Sequence, residues 1–293
     1  MHEQAITEAA PAKINLALSV VGQRPDGYHR MESVVAFAQL CDRVTAMPAG
    51  SDVFALSGRF GAGLISEAGD NLVIRARDGL RALLLAKGRP APPVSLHLEK
   101  NLPIASGIGG GSADAAACIR ALMRLWRVEN PVAGLDALLL TLGADVPMCF
   151  ASRPLLAESI GEKITPLASL PVLPMVLVNP LLPVSTPDIF RRLTVKTHPP
   201  LPRPLPADDG WLAWLAATRN DLENPARALV SEIGDALGLL AAHGARFARM
   251  SGSGATAFGV FDDTHSAGHA CAAIRAEKPD WFVEATATRA GDH

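Results

Sequence analysis

The chain has 293 residues, 49% of them hydrophobic and 19% charged, with a formal net charge of -2. That length and apolar content can bury substantial cores and divide into two domains, while the near-neutral balance argues against a dedicated nucleic-acid binder, which carries a strong basic excess. No uninterrupted apolar stretch is long enough to cross a bilayer, no basic segment leading into an apolar run opens the chain, and the four cysteines form no C-x-x-C pair; a cytoplasmic protein with reduced thiols and no membrane partner is expected.

In chain order, the first clear strand is Ala12–Leu18, with Ile14, Leu16 and Leu18 toward a core and Lys13 and Asn15 on the opposite face. Taken alone, that second face is more simply a solvated one. Asp26 and Gly27 predict a turn that presents Tyr28 and His29. Val94–Glu99 alternates with period two and reads as a half-buried strand. It breaks into a glycine-rich turn, Pro103, Ile104, Ala105, Ser106, Gly107, Ile108, Gly109, Gly110, Gly111 and Ser112. A helix follows, for which Ser112 is the expected cap; Asp114 complements its dipole, and Ala115, Ile119, Leu122 and Trp126 form an apolar stripe opposite Arg120, Arg124 and Arg127. Cys118 on this helix reads as core packing.

Glycines free the backbone for positive φ and close approach, so N–H groups and a helix N-terminus can converge on phosphate. A flexible surface turn is the bland alternative; the patterned strand before it and the helix after it favour phosphate binding. It is not a Walker A loop, because Gly111 is followed by Ser112 and Ala113 without a lysine. Nor is it a dinucleotide fingerprint, because counting from Gly107 and Gly109 the last position falls on Ser112, which removes an NAD-dependent dehydrogenase from consideration.

Further on, Leu135–Leu142 predicts a helix that Gly143 terminates, with Asp145 on a tight turn before Pro147; an isolated Asp there is more often a turn former. Prolines at 171, 174, 180 and 183 leave a short buried strand. The proline-rich stretch from Pro180 to Pro206 reads as an ordered excursion, since it contains Ile189, Phe190 and Leu193. Helical patterns at Trp211–Ala217 and Asn224–His243 precede a strand, turn and strand at Ala245–Phe261. That turn holds a second glycine run, Ser251-Gly252-Ser253-Gly254, which a plain hairpin would also use. A helix near Ser266–Glu277 and a strand near Trp281–Thr286 close the chain, which shows no internal repeat. The division is expected between residues 1–155 and 156–293.

Pro11–Asn15, the turn from Pro103 to Ala113, Gly143–Pro147 and Ser251–Ala255, in that order, resemble the motif set of the kinases of galactose, homoserine, mevalonate and phosphomevalonate. Asp26–His29, the triple glycine before Ser112 and Thr186–Phe190 resemble more closely the branch whose acceptor is a cytidine diphosphate ester of methylerythritol, in the non-mevalonate route to isoprenoids. The resemblance implies an α+β fold of two domains, the N-terminal one ribosomal protein S5 domain 2-like and the C-terminal one ferredoxin-like, with the active site in the cleft between them. It implies an ATP-dependent kinase in which residues 1–155 bind ATP and carry the chemistry and residues 156–293 serve the substrate. Asp145 would take the proton from the acceptor's 2-hydroxyl, with Lys13 as its partner. Asn71 and Lys100 would lie near adenine, and the turn from Pro103 through Ala113 would hold the triphosphate. Tyr28 and Phe190 would sandwich cytosine, His29 would read its edge, Asn15 would lie near the erythritol end, and Ser251 and Gly252 would complete the acceptor site. Mg2+ is expected with ATP, bound mainly through phosphates and water. Where the family often has two serines after the glycines, this chain has Ser112 and Ala113; the Ala113 N–H is expected to keep a phosphate contact. A homoserine or mevalonate kinase, or a non-catalytic binding protein on the same fold, are the alternatives, and oligomeric state stays open.

Overall fold

A computed structural model describes residues 5–64, 71–129, 132–207 and 210–290. It divides into two compact units: Met1–Ala12, Cys41–Ile104 and Gly109–Ser152 in the first, Lys13–Leu40, Ala105–Ile108 and Arg153–His293 in the second. The division cuts two long strands, β1 (Ile6–Gln23) and β2 (His29–Pro48), which pair with each other and contribute to both units.

The first unit continues through β3 (Val53–Ser57), α1 (Leu72–Leu85), β4 (Val94–Glu99), α2 (Gly110–Leu125), α3 (Leu135–Leu142) and α4 (Val146–Ala151). β4 runs antiparallel to β2, from Arg43 opposite Glu99 to Pro48 opposite Val94, and parallel to β3. Parallel neighbours need a crossover, and α1 supplies it. The alternation of β4 is as expected, with Val94, Leu96 and Leu98 buried and the residues between them partly exposed. Helix α2 departs from expectation at its start. Gly109, in the left-handed conformation at φ 64°, is the cap, and no side chain caps the helix. Because glycine turns the chain directly into the helix, Ser112 falls inside the first turn. The helix is also buried on more than one side, since α1 and α4 both pack on it. Alanines at 113, 115, 116, 117 and 121 allow that approach.

In the second unit β2 pairs antiparallel with β5 (Leu155–Ser159), which pairs with β6 (Lys163–Pro166). Next come β7 (Pro174–Asn179), α5 (Thr186–Arg191), α6 (Trp211–Ala216), α7 (Glu223–Leu229), α8 (Glu232–Ala242), β8 (Phe247–Met250), β9 (Ala257–Val260), α9 (Thr264–Glu277) and β10 (Phe282–Ala287). Strands β7, β8, β9 and β10 form an antiparallel sheet in the order β10-β7-β9-β8. With α8 and α9 this is the split βαββαβ arrangement of ferredoxin-like folds. Val176, Val178, Ala257 and Val283 of the sheet pack against Leu240 and Ile274 of the two helices. The expected helix over 224–243 is two helices, because Val230 takes an extended conformation between them. The proline-rich stretch is ordered through α5, whose Ile189 is buried with Leu193 against Leu18, Val20 and Met250.

The solvated face considered for the first strand does not exist. Every residue of β1 from Ala10 to Val20 is buried, Lys13 to 5% and Asn15 to 4% exposure. Replacing Leu240, fully buried between α8 and the sheet, by alanine should cost about 2–5 kcal/mol in chemical denaturation. A loss below about 1 kcal/mol would mean that this face collapses without consequence.

Candidate active site

Positive φ at Ala105, Gly107 and Gly109 carries the chain from β4 toward α2. In the second unit, Ala105–Ile108 is held by two other segments. Lys13 of β1 donates its N–H to Ile108 O at 2.8 Å. Thr256 donates twice to Ser106 O, through its N–H at 3.2 Å and its hydroxyl at 2.6 Å. Asn179 Nδ2 in turn donates to that hydroxyl. Ser251 Oγ accepts from Asn15 N at 3.1 Å and donates to Gly107 O at 3.2 Å. A Cβ at Gly107 would stand 2.5 Å from Gly254 O, and one at Gly252 would stand 2.8 Å from Gly107 O. The two glycine turns therefore touch backbone to backbone because neither has a side chain there. Asn15, Ser106, Gly107, Ile108, Ser251 and Gly252, named from separate motifs, meet in one place, and the second turn, although it does join β8 to β9, is more than a hairpin.

Among the described residues of this unit three buried polar side-chain atoms have no hydrogen-bond partner, Asn15 Oδ1, His29 Nε2 and the indole Nε1 of Trp211. The rest of the Asn15 side chain is fixed, its Nδ2 donating to Ser33 Oγ at 2.7 Å and that hydroxyl to Ala17 O. The His29 ring stacks on Phe190 with centroids 4.8 Å apart and planes 19° from parallel. Burial, aided by the charge of Lys196, holds His29 below its usual pKa, so at neutral pH it is an uncharged ring with one donor and one acceptor nitrogen. Phe190 is delivered by α5, whose first turn is capped by Ser185 and whose Thr186 hydroxyl meets Ser253 Oγ at 2.7 Å. Tyr28 stands 63% exposed on the expected turn, where Asp26 Oδ1 accepts its N–H. The ring lying on Phe190 is thus His29, and Tyr28 is open.

The remaining candidates lie in the first unit. Gly109, Gly110, Gly111 and Ser112 carry the N–H groups that have no partner within α2. The Ala113 N–H is not among them, because it donates to Gly109 O at 2.8 Å; the phosphate contact expected of it is taken up by the helix itself. Pro103 is buried, whereas Ile104 and Gly111 are exposed. Asn71 caps α1, its Oδ1 accepting from Val73 N at 2.9 Å. The Lys100 ammonium is internal, 2.5 Å from Asp42 and 2.6 Å from Asp114. Asp145, partly buried, is the residue before α4, and Gly143 ends α3, so the expected tight turn is a junction of two helices. A Cβ built on Gly143 would lie 3.9 Å from Ser112 Oγ, which sets that junction beside the start of α2. Lys13 belongs to the second unit and Asp145 to the first.

Asp42, Ser33, Asn179 and Thr256 were not singled out from sequence, and Asp114 was assigned only to the helix dipole. Burial pushes the Cys118 thiol up, as suits a packing residue. Among the described residues no group of three or more His, Cys, Asp or Glu is arranged to hold a metal ion, and no helix is long and apolar enough to cross a membrane.

These features define a small-molecule kinase of the GHMP class: the family model described as GHMP kinases N terminal domain matches residues 71–153, and that described as GHMP kinases C terminal matches residues 210–280. The chain is 57% identical over 286 residues to a 4-diphosphocytidyl-2-C-methyl-D-erythritol kinase of Rhizobium etli, covering 98% of this chain and 96% of the relative. It is 55% identical over 285 residues to one of Agrobacterium fabrum, covering 96% and 95%. A crystal structure of 4-(cytidine 5'-diphospho)-2C-methyl-D-erythritol kinase superposes with a TM-score of 0.80 at 35% identity, covering 98% of this chain and all of that one. A mevalonate kinase from L. major shares the fold alone, with a TM-score of 0.66 at 14% identity. The chain belongs to the GHMP kinases and, within them, to the family of 4-diphosphocytidyl-2-C-methyl-D-erythritol kinases.

Thr256→Val keeps the side chain's shape but removes the hydroxyl between Ser106 O and Asn179 Nδ2. It should lower stability by about 1–3 kcal/mol, while Thr256→Ser stays near wild type. Equal melting temperatures for all three proteins would show that this hydroxyl does not hold the turn.

Proposed function

We propose that this kinase transfers the γ-phosphoryl group of ATP to the 2-hydroxyl of 4-diphosphocytidyl-2-C-methyl-D-erythritol, in the non-mevalonate isoprenoid pathway. The observation that carries the reading is the pair of buried, unpartnered polar atoms, Asn15 Oδ1 and His29 Nε2. Asn15 is anchored through Ser251 to the glycine-rich turn, and His29 lies against the aromatic ring that α5 presents. A buried polar atom left bare costs free energy, so both are suited to an acceptor that brings hydroxyls and a pyrimidine edge. The names of the relatives support the same acceptor, and a homoserine or mevalonate acceptor would leave the aromatic pair without a use.

In this reading residues 1–155 bind ATP and carry the chemistry, and residues 156–293 serve the acceptor. Asn71 and Lys100 lie near adenine. The N–H groups at the start of α2 and the turn from Pro103 receive the triphosphate, an anion at a helix N-terminus. Mg2+ would accompany ATP and offset charge on its phosphates. Tyr28 and Phe190 hold the cytosine ring, His29 reads its edge, and Asn15, Ser251 and Gly252 face the erythritol end. Asp145 takes the proton from the 2-hydroxyl as its oxygen attacks the γ-phosphorus, and the bond to the β,γ-bridging oxygen breaks to release ADP. The Lys13 ammonium offsets charge on the transferring group. In a loose transition state positioning and charge stabilisation carry most of the rate.

ADP release measured with the cytidyl acceptor, homoserine and mevalonate decides the acceptor: turnover of the first alone is expected, and turnover of only the other two refutes the assignment. Asp145→Asn should lower kcat by about 10²–10⁴-fold with ATP and acceptor still binding. Unimpaired turnover would remove Asp145 as the base.

A further inference from the structure

The ammonium of Lys100 joins two carboxylates that belong to opposite ends of the glycine-rich turn. Asp42 Oδ1 accepts the N–H groups of Asn101 at 2.5 Å and Leu102 at 2.7 Å, the two residues before Pro103, and its Oδ2 accepts from Lys100 Nζ. Asp114, one turn into α2, accepts from the same ammonium. All three side chains are at most 3% exposed. A Cβ on Gly110 would come within 3.0 Å of Lys100 Nζ, so the cation lies directly beside the first residue of the helix. Two carboxylates and one ammonium leave one negative charge unbalanced unless a proton is held between the acids, and Asp114 Oδ1 has no partner at all.

We propose that Asp42, Lys100 and Asp114 are positioning residues for the nucleotide: they tie the chain before the glycine-rich turn to the helix after it, and thereby hold the turn's N–H groups in the arrangement that receives a triphosphate. The proposal rests on the reading that this turn binds ATP. It makes nucleotide affinity sensitive to the proton in the cluster. Burial pushes the Asp114 carboxyl up to about 8, with Asp42 adding to the rise and Lys100 opposing it. Burial works against the Lys100 charge, but Asp114 and Asp42 outweigh it and raise its pKa. Below about pH 8 the cluster is therefore neutral, and above it the cluster carries a net negative charge close to the phosphate-binding N–H groups. Of the other titratable groups on the helices around Asp114, Cys118 is one turn along α2, α1 carries Arg77 and Asp78, which pair with each other, α4 carries the Cys149 thiol with Asp145 just before it, and Asp136 of α3 is exposed.

The test uses calorimetric binding of ADP, and separately of CDP, to the full chain between about pH 7 and about pH 9.5, a range that brackets the Asp114 transition. Wild-type ADP affinity should fall about tenfold through pH 8, as expected for one charge acting over several ångströms in a partly screened site. Asp114→Asn, an isostere fixed without charge, should lose that step. Lys100→Met should weaken ADP about tenfold or more at pH 7 and leave CDP binding unchanged, which separates positioning from a general loss of structure. A pH-independent wild-type affinity, or a step retained in Asp114→Asn, overturns the proposal even if Lys100→Met fails to fold. Gly110→Val separates the two readings: if it leaves ADP binding intact, the turn is not the nucleotide site. If it abolishes binding while Lys100→Met and pH have no effect, the nucleotide reading stands and the positioning role falls.

Discussion

The Ser251 hydroxyl is the interaction on which the acceptor-side geometry depends. It accepts from Asn15 N and donates to Gly107 O, joining residues separated by 236 and 144 positions. Such a contact is available only if two backbones approach to the point where no side chain fits, and a Cβ at either Gly107 or Gly252 would fall inside van der Waals contact with the other turn. The glycines are therefore constraints of assembly as well as of ligand access. Once they permit the approach, Thr256 holds Ser106 O from the other side, with Asn179 bracing its hydroxyl. In the proposed reaction a turn held in this way would present its N–H groups without rearrangement as charge moves.

The same logic explains why β1 carries a buried lysine and a buried amide. A strand covered on both faces cannot leave polar side chains idle, because each would lose its water without return. Asn15 meets half of that demand within the protein, through Ser33, and leaves one oxygen for something else. Arg249, also buried, is engaged internally, its Nη1 and Nη2 donating to Leu16 O, Leu215 O and both oxygens of Thr218. The contrast separates a polar group engaged within the protein from one whose oxygen is left without a partner.

Much of this was legible in the sequence. Period two at Val94–Glu99, the apolar run of Leu135–Leu142, the terminating Gly143 and the strand-turn-strand of the last third each depend on neighbours a few residues apart, and each formed where local pattern placed it. The start of α2 lies three residues before the one expected from Ser112, which is a good cap, and only the backbone shows that Gly109 has already turned the chain. The double burial of β1 and the partners of Lys100 were illegible for a different reason. Asp42 lies 58 residues and Asp114 lies 14 residues from Lys100, and no periodicity within one element records what another element brings to its face. Lys100 was connected to nucleotide binding through family likeness alone; its two carboxylates show by what physical means an internal ammonium could serve that end.

In the proposed acceptor site the stack of His29 on Phe190 would set the terms of binding. A pyrimidine that takes the same face of Phe190 must replace His29, giving up an aromatic contact of about 0.5–1.5 kcal/mol for a base stack of about 1–3 kcal/mol. The exchange is nearly balanced, so stacking on Phe190 contributes little net affinity and cannot by itself tell one aromatic ligand from another. Tyr28, already exposed on its turn, can close on the other face without breaking any packing. Discrimination then falls to the displaced ring. Held uncharged by burial and by Lys196, His29 offers one donor and one acceptor nitrogen rather than two donors. It gains most from a base edge that can satisfy the Nε2 atom now buried without a partner, and a ligand that stacks without satisfying it leaves that cost in place.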